Sequence, residues 1–594
     1  MSIAALSRVT LYCVPRDRLT LLGALQTFGR VHLDSPAARD TSADPSADRR
    51  SLIAFLRAAG PTPPARPEVV AEPDTAALEA RVAALRDELR ALLEERDSIS
   101  ARLRGRAVWG DFDGEAMSQA GLRLSFHRVP RELLSRMPAD VAWQQAGMDG
   151  DVACIGVVSR GEPQGMPGAA VTVDGHGPSV LRARREAVER RIGTLQEERA
   201  ALAASCSRLQ RNLARVEDEQ ERGAIAASPA RSDGLFVLEG WVPCTERDAL
   251  RQVVVDCGGA VAFRDPEDGD SPPTLLEGPE WNSGGRSLVR FYLTPAYSVW
   301  DPSGAVALSF VVFFGMMLGD AGYALVLLAA LAVSSLLSRF TRATYLPSGL
   351  AAVAWGCASF AFVWGALCGS WFGATAPADG FAGSLHVLPW QDMGVAMRVA
   401  VLAGVAHLVL ANLATAWHRR GRAEGLAALG WILALSGAAT LWLSEDPLRD
   451  SARFEAAGWV LLVLSATVLL GTALSRGSVM EKGGAVLVLC FRALGAVGDT
   501  LSYLRLFALA VAGAQLADAF NDLARSVQES APHAGSVLAV CVLVTGHAFN
   551  LGLATAGAVV HGLRLNYVEF FNWAVWREGI PFRPFAKREA SWRI

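Results

Sequence analysis

The sequence has no CxxC pair, no phosphate-binding GxxxxGK[ST] loop and no excess of basic charge. Its nine cysteines form no regular framework, which excludes a disulfide scaffold and points to free thiols in a reducing compartment. Without a phosphate loop the chain is not expected to hydrolyse nucleotide itself. A formal net charge of -3 gives no bulk attraction to nucleic acid. The opening MSIAALSRVTLYCVPRDRL lacks a basic region followed by an apolar run of signal length, so the N-terminal part is expected in the cytosol. No inverted repeat of interrupted apolar segments is evident, as many secondary transporters have.

What is present falls into two halves. Residues 1–300 are rich in Arg, Glu and Asp, whereas Ala, Leu, Val, Gly, Phe and Trp dominate from Ala305 onward. That asymmetry predicts a soluble domain followed by a membrane domain. In the soluble half, Leu78, Val82, Leu85, Leu89, Leu92, Ile99 and Leu103 recur at three- and four-residue steps, interrupted by Arg96. Leu181, Val188, Ile192, Leu195, Leu202, Cys206, Leu209, Leu213 and Val216 form a second such seam. Both read as arms of an antiparallel coiled-coil hairpin. The segment between them, with strand-like LRLSFHRV and DVACIGVVSR, is expected to form a distal lobe. The predicted organisation is a cytosolic domain at 1–300 and a membrane domain at 301–594. Within the first lie a proximal α/β lobe (1–75 and 225–300), arms (76–107 and 178–222) and a distal α/β lobe (108–177).

The apolar half predicts eight transmembrane helices, at about 304–319, 321–338, 347–372, 393–417, 425–443, 457–475, 484–524 and 534–571. The first apolar stretch is divided at Gly319–Asp320, because one helix through it would run about 50 Å against a hydrocarbon core of about 30 Å. Eight crossings place Arg339, Arg342, Arg419, Arg420, Arg422, Arg476 and Lys482 in inside loops, with Arg577, Arg583, Lys587, Arg588 and Arg593 in an inside tail. The outer segment 373–392 has neither Lys nor Arg. Seven crossings would reverse that pattern. The last two stretches are too long for upright spans and are expected to be strongly tilted.

Charged groups inside spans are costly unless paired or wetted. Arg505 lies deep in GDTLSYLRLFALAVAGAQLADAF; Arg564, in GHAFNLGLATAGAVVHGLRLNYVEFF, lies nearer the inner surface, where snorkelling competes with a functional role and is the less favoured of the two readings. His547, Asn550, Ala554, Gly557, His561 and Arg564 advance by three or four and so share one helix face, with Thr555 as a further embedded polar group. Two histidines, an amide and an arginine on one stripe predict a polar path rather than packing alone. Gln515, Asp499 and Glu569 are further half-channel candidates. No carboxylate or cysteine shares the His547–His561 face, so neither a metal nor a cofactor is expected.

SYLRLFALAVAGAQLA (502–517) and VHGLRLNYVEFF (560–571) resemble the signature and last membrane helix of the V-type ATPase a subunit family, called subunit I in bacterial and archaeal complexes. DPSGAVALSFVVFFGMMLGDAGYA, VWGALCGSWFG, LEGWVP and LLGALQTFGRVHLD are similar to other family motifs, in the same order. The resemblance implies a non-catalytic, static, ion-translocating subunit of a rotary ATPase in a prokaryotic plasma membrane, with both termini cytoplasmic. Arg505 and Arg564 would face the carboxylates of a proteolipid rotor ring, between two half-channels that carry H⁺ or Na⁺. It implies peripheral-stalk E/G-type heterodimers, a central-stalk rotor cap, the V1 sector and membrane lipid as partners. Gly513 and Ala554 depart from eukaryotic relatives, which carry a histidine and a glutamate there; Ala324 replaces a glycine often seen in the first hairpin. Two other readings remain at this stage. A secondary transporter with a cytosolic coiled-coil regulator would need a midplane substrate site on broken helices, and a pure tether leaves the two intramembrane arginines unexplained.

Overall fold

The computed structural model describes residues 3–34, 47–58, 75–106, 108–138, 141–161, 163, 165–171, 177–203, 206–227, 234–267, 269–341, 346–375, 383, 385–388, 392–444, 451–475, 478–530, 535–575 and 577–588. Parts of the expected proximal lobe (35–46 and 59–74) lie outside the described residues, as do Arg342, Arg476, Arg593 and parts of the outer loops. The chain is mainly helical, with sheet in the N-terminal half and a C-terminal run of apolar helices. It divides into two compact units. One comprises Cys13–Gly29, Ser35–Val237 and Ala586–Ile594; the other comprises Met1–Tyr12, Arg30–Asp34 and Leu238–Phe585.

The first 300 residues supply β1 (Leu6–Cys13), α1 (Arg18–Phe28), β2 (His32–Leu33), α2 (Ala47–Arg57), α3 (Thr75–Arg106), α4 (Gly114–Gln119), β3 (Arg123–Pro130), β4 (Ala142–Asp149), β5 (Val152–Ser159) and β6 (Ala169–Val171). They continue with α5 (Pro178–Ala203), α6 (Cys206–Ala226), β7 (Phe236–Pro243), α7 (Arg247–Asp256), β8 (Ala260–Arg264) and α8 (Ser283–Tyr292).

In the first unit α3 and α5 pack along the apolar seams. Leu85, Leu89 and Ile99 of α3 meet Leu181, Val188, Ile192 and Leu195 of α5 in one buried cluster. The flanking charges set direction and register. Arg81 pairs with Glu198, Arg191 with Glu88 at 2.7 Å, and Arg184 with Glu95 at 2.7 Å. These partners step by seven residues in opposite directions, which fixes the pair as antiparallel. The second seam is divided between α5 and α6, and α2 packs Leu52, Ile53 and Leu56 against Val82, Leu209 and Leu213. Beyond α3, a four-stranded sheet of order β4-β5-β3-β6 buries Val129, Ala153, Ile155 and Val157. The Asp111 carboxylate accepts from Ser179 N at 3.0 Å, tying the exit of α3 to the start of α5. At the other end, Arg588 of the tail pairs with Glu217 at 2.7 Å and Glu221 at 3.4 Å on α6, while Asp218 accepts its backbone N–H.

In the second unit a sheet of order β2-β7-β1-β8 precedes the membrane helices. β1 alternates buried and partly buried residues and pairs antiparallel with β8, Arg8 opposite Arg264. Arg8 bridges Glu239 at 2.8 Å and Asp270 at 2.7 Å. The apolar run then forms α9 (Ser303–Leu318), α10 (Ala321–Thr341), α11 (Ser348–Cys368), the short hairpin β9 (Ser370–Trp371) and β10 (Ala374–Thr375), α12 (Met393–His418), α13 (Ala423–Ser444) and α14 (Ser451–Leu474). It ends with α15 (Val479–Leu501), α16 (Leu504–Ser530), α17 (Gly535–Arg564), a π-helical turn (Leu565–Phe570) and α18 (Phe571–Ala574).

Seven described helical runs are long and apolar enough to cross a membrane, two of them being Val479–Ser530 and Gly535–Ala574; Ser303–Leu318 is a shorter apolar helix. The chain is a multi-pass membrane protein. The two long final stretches differ in form from the uninterrupted helices expected. The first is interrupted by a turn at Ser502–Tyr503, and the second passes into a π turn after Arg564. Gly319 ends α9 in the left-handed region (φ 59°), which a side chain would strain, and this separates α9 from α10 where the sequence predicts.

Candidate functional site

The break between α15 and α16 places Arg505. Tyr503 is fully buried, and its hydroxyl meets His407 Nδ1 on α12 at 2.8 Å. Its ring lies so close to α12 that a Cβ on Gly404 would overlap it. His407 is held in turn by stacking on Phe570 (4.4 Å between centroids, 8° between planes) and by the edge of Phe313. With Tyr503 seated in this notch the chain turns, and α16 restarts one residue before Arg505.

The π turn brings a carboxylate to the same place. Of its six residues Val568 alone is exposed, because the extra residue per turn rotates Leu565, Asn566, Tyr567, Glu569 and Phe570 inward. Asn566 anchors the turn by accepting from Ser309 Oγ of α9 at 2.5 Å. Glu569, 2% exposed, pairs through Oε1 with Arg505 Nη1 at 3.5 Å, and Arg505 Nη2 donates to Ser502 Oγ at 3.3 Å. Glu569 Oε2 is buried and has no hydrogen-bond partner among the described residues.

A second polar cluster lies among α10, α16 and α17. Asn521 Nδ2 donates to Phe372 O at 2.9 Å, which turns its Oδ1 toward His547 Nε2 at 3.1 Å. His547 therefore carries its proton on Nε2 and accepts at Nδ1 from the Tyr323 hydroxyl at 2.8 Å. Asn550, 1% exposed, donates to Tyr323 Oη at 2.9 Å and to Gly513 O at 2.8 Å. Beside this cluster Asp320 accepts from Tyr323 N, Ser370 Oγ, Phe372 N and Gly373 N at 2.8–3.0 Å. Four donors on one buried carboxylate hold the loop after α11, including Phe372 in the left-handed region at φ 51°.

The structure thus brings Arg505 to Glu569, and His547 to Asn550 through Tyr323. Gln515 is exposed and lines a cavity of about 590 Å³ with Asp518, Asn521 and Arg525, which Asn521 joins to the His547 cluster. Asp499 accepts from Trp573 Nε1 at 2.7 Å. His561 Nδ1 and Thr555 Oγ1 are buried without a hydrogen-bond partner among the described residues. Arg564 is exposed at the end of α17 and forms no ion pair within the described set. Among the described residues no group of three His, Cys, Asp or Glu could hold a metal ion.

Tyr323, His407, Tyr503, Asn521 and Asp518 belong to these clusters although the sequence reading does not single them out. For His407 the signal exists, since a histidine within an apolar span follows the rule that marks Arg505. Tyr323 and Asn521 sit near span ends, where polar side chains are ordinary and carry no such signal.

The stretch 491–587, which includes Arg505, Glu569, Asn521, His547 and Asn550, matches the model of the V-type ATPase 116 kDa subunit family. The chain is 30% identical over 407 residues to an A-type ATP synthase subunit I of Pyrococcus horikoshii, covering 63% of this chain and 58% of that protein. It is 25% identical to a V-type ATP synthase subunit I of Borreliella burgdorferi, covering 63% of each. The similarity to V-type ATP synthase subunit I 1 of Treponema pallidum is 25% over 638 residues, covering 99% of this chain and 100% of that protein. The chain thus spans 58% of the length of the Pyrococcus relative and the whole of the Treponema one. With the motifs at 502–517 and 560–571 inside the matched stretch, the C-terminal part of the chain is similar to the V-type ATPase 116 kDa subunit family, and the chain is similar to the subunits I of A-type and V-type ATP synthases.

Proposed function

We propose that this chain is the static, ion-conducting membrane subunit of a rotary V/A-type ATPase. It does no nucleotide chemistry itself. The eight crossings comprise the seven long helical runs and α9, with both termini in the cytoplasm of a prokaryotic cell. The α3–α5–α6 hairpin is the coiled-coil stator arm that grips peripheral-stalk heterodimers, with the central-stalk rotor cap and V1 sector completing the complex. The observation that carries the reading is Arg505: a cation at a helix break inside an apolar run, backed by one loosely held carboxylate.

In this mechanism a proteolipid ring turns past α16 and α17. Each ring carboxylate that reaches Arg505 meets an opposite charge, which favours its ionised form and expels its H⁺ or Na⁺. Arg564, exposed and without an ion pair among the described residues, is a second fixed cation near the cytoplasmic side. The cavity lined by Gln515, Asp518 and Asn521 is the mouth of the outer half-channel, with His547 and Asn550 at its inner end. His561 and Asp499 lie on the cytoplasmic side. The arginine also blocks a direct leak between the two half-channels, because a fixed cation repels a passing one.

The break at Ser502–Tyr503 favours a second reading, a secondary transporter with a cytosolic regulatory domain, since transporter sites form at interrupted helices. One experiment separates the two. The complex is purified from native membranes with the wild-type chain and with Arg505→Ala, then placed in vesicles. ATP-driven ion uptake is expected to vanish in an intact Arg505→Ala complex. Normal uptake by the variant refutes the role of Arg505, and a wild-type preparation without a proteolipid ring favours the transporter.

A further inference from the structure

The ion pair between Arg505 and Glu569 is built asymmetrically. Arg505 is the outer member, its side chain 28% exposed, and Glu569 is the inner one at 2%. A single long contact of 3.5 Å joins them, where a bidentate pair would make two near 2.8 Å. Glu569 keeps its second oxygen buried and unpartnered among the described residues. A buried carboxylate with half its acceptor capacity unused is costly to maintain, and packing alone does not require it: a glutamine would fill the same space. The π turn that rotates Glu569 inward is itself a local departure from the favoured helix.

We propose that Glu569 is a built-in counter-ion that takes Arg505 back each time an external carboxylate leaves it. This rests on the reading of Arg505 as the cation met by the rotor carboxylates. Without Glu569 the arginine would stand unpaired between successive rotor subunits, and it would hold each arriving carboxylate too firmly. With it, release of one partner is offset by recovery of the other. The long single contact suits this exchange, because a tight bidentate pair would lock Arg505 inward. The surrounding ionisable groups are occupied elsewhere. Asp499 is bonded to Trp573, Tyr503 to His407, and Tyr567 to Leu288 O. Arg492 lies over the Trp573 ring at 5.1 Å.

The test uses the assembled complex in vesicles with Glu569→Gln, which keeps the shape and removes the charge. The H⁺ or Na⁺ concentration giving half-maximal uptake is expected to rise about tenfold, as for an acid whose cationic neighbour is no longer shared. Uptake and coupled ATP hydrolysis are expected to slow together. Half-maximal concentration and rate equal to wild type overturn the proposal. Where Glu569→Gln does not assemble, Glu569→Asp keeps the charge one methylene further back; a smaller shift in the same direction supports the proposal, and wild-type behaviour overturns it. Arg505→Ala run in parallel separates the two ideas. An inactive Arg505→Ala beside a normal Glu569→Gln removes the counter-ion alone, whereas an active Arg505→Ala removes the reading beneath it.

Discussion

Replacing Gly404 by alanine adds one methyl group to the interior of α12, and its effect depends on the residue it faces. Alanine is intrinsically the better helix former by about 1 kcal/mol. In this fold, however, the new Cβ overlaps the ring of Tyr503, which is fully buried and held through its hydroxyl by His407. Overpacking of this kind costs about 1–3 kcal/mol, so Gly404→Ala is expected to be neutral to destabilising by about 2 kcal/mol. Removing the ring reverses the sign. In a Tyr503→Ala background the overlap is gone and Gly404→Ala is expected to stabilise by about 1 kcal/mol. The coupling between the two sites is therefore about 1–3 kcal/mol, within the range seen for residues in contact. Equilibrium unfolding of the four purified variants by SDS titration in mixed micelles measures it. An equal effect of Gly404→Ala in both backgrounds would refute the claim that the Gly404 notch seats Tyr503. Ion uptake adds a second readout, because Arg505 lies two residues beyond Tyr503 and moves with the break.

Asp320→Ala leaves four donors around the loop after α11 without their acceptor; a loss of at least about 3 kcal/mol is expected, visible as faster proteolysis between α11 and α12, and wild-type resistance would contradict it. In the N-terminal half, burial pushes the His127 imidazole below its ordinary value of 6.5. The folded sheet then prefers the neutral ring. The stability this contributes is complete above pH 6.5 and is lost as pH falls through the depressed folded value. Hydrogen exchange of the β3 and β5 amides, corrected for the intrinsic rate, is expected to accelerate at acid pH in the wild-type chain and to lose that acid limb in His127→Leu.

What the sequence makes legible follows from constraints that act along the chain. A bilayer demands long apolar runs, so the helices from α10 onward lie close to where hydropathy puts them, and Gly319–Asp320 marks the division of α9 from α10 through glycine's conformational freedom. Helical spacing places His547 and Asn550 on one face, and the structure bonds both to Tyr323. Spacing cannot say what lies across that face. The stripe that reads as continuous holds bonded groups at one end and, at the other, His561 Nδ1 and Arg564 without such bonds among the described residues. The break at Ser502–Tyr503 is illegible for a related reason. Neither residue is glycine or proline, and the group that bonds Tyr503 lies 96 residues away in the sequence. The π turn is equally silent in the sequence, since a regular helix through 565–570 would present different residues inward. These two irregularities meet at one point. One lies just before Arg505, the other rotates Glu569 inward, and together they set a cation against a half-satisfied carboxylate within the apolar run. That the only two departures from regular helix in the last described stretches converge on this pair is the strongest structural reason to look there for the chemistry.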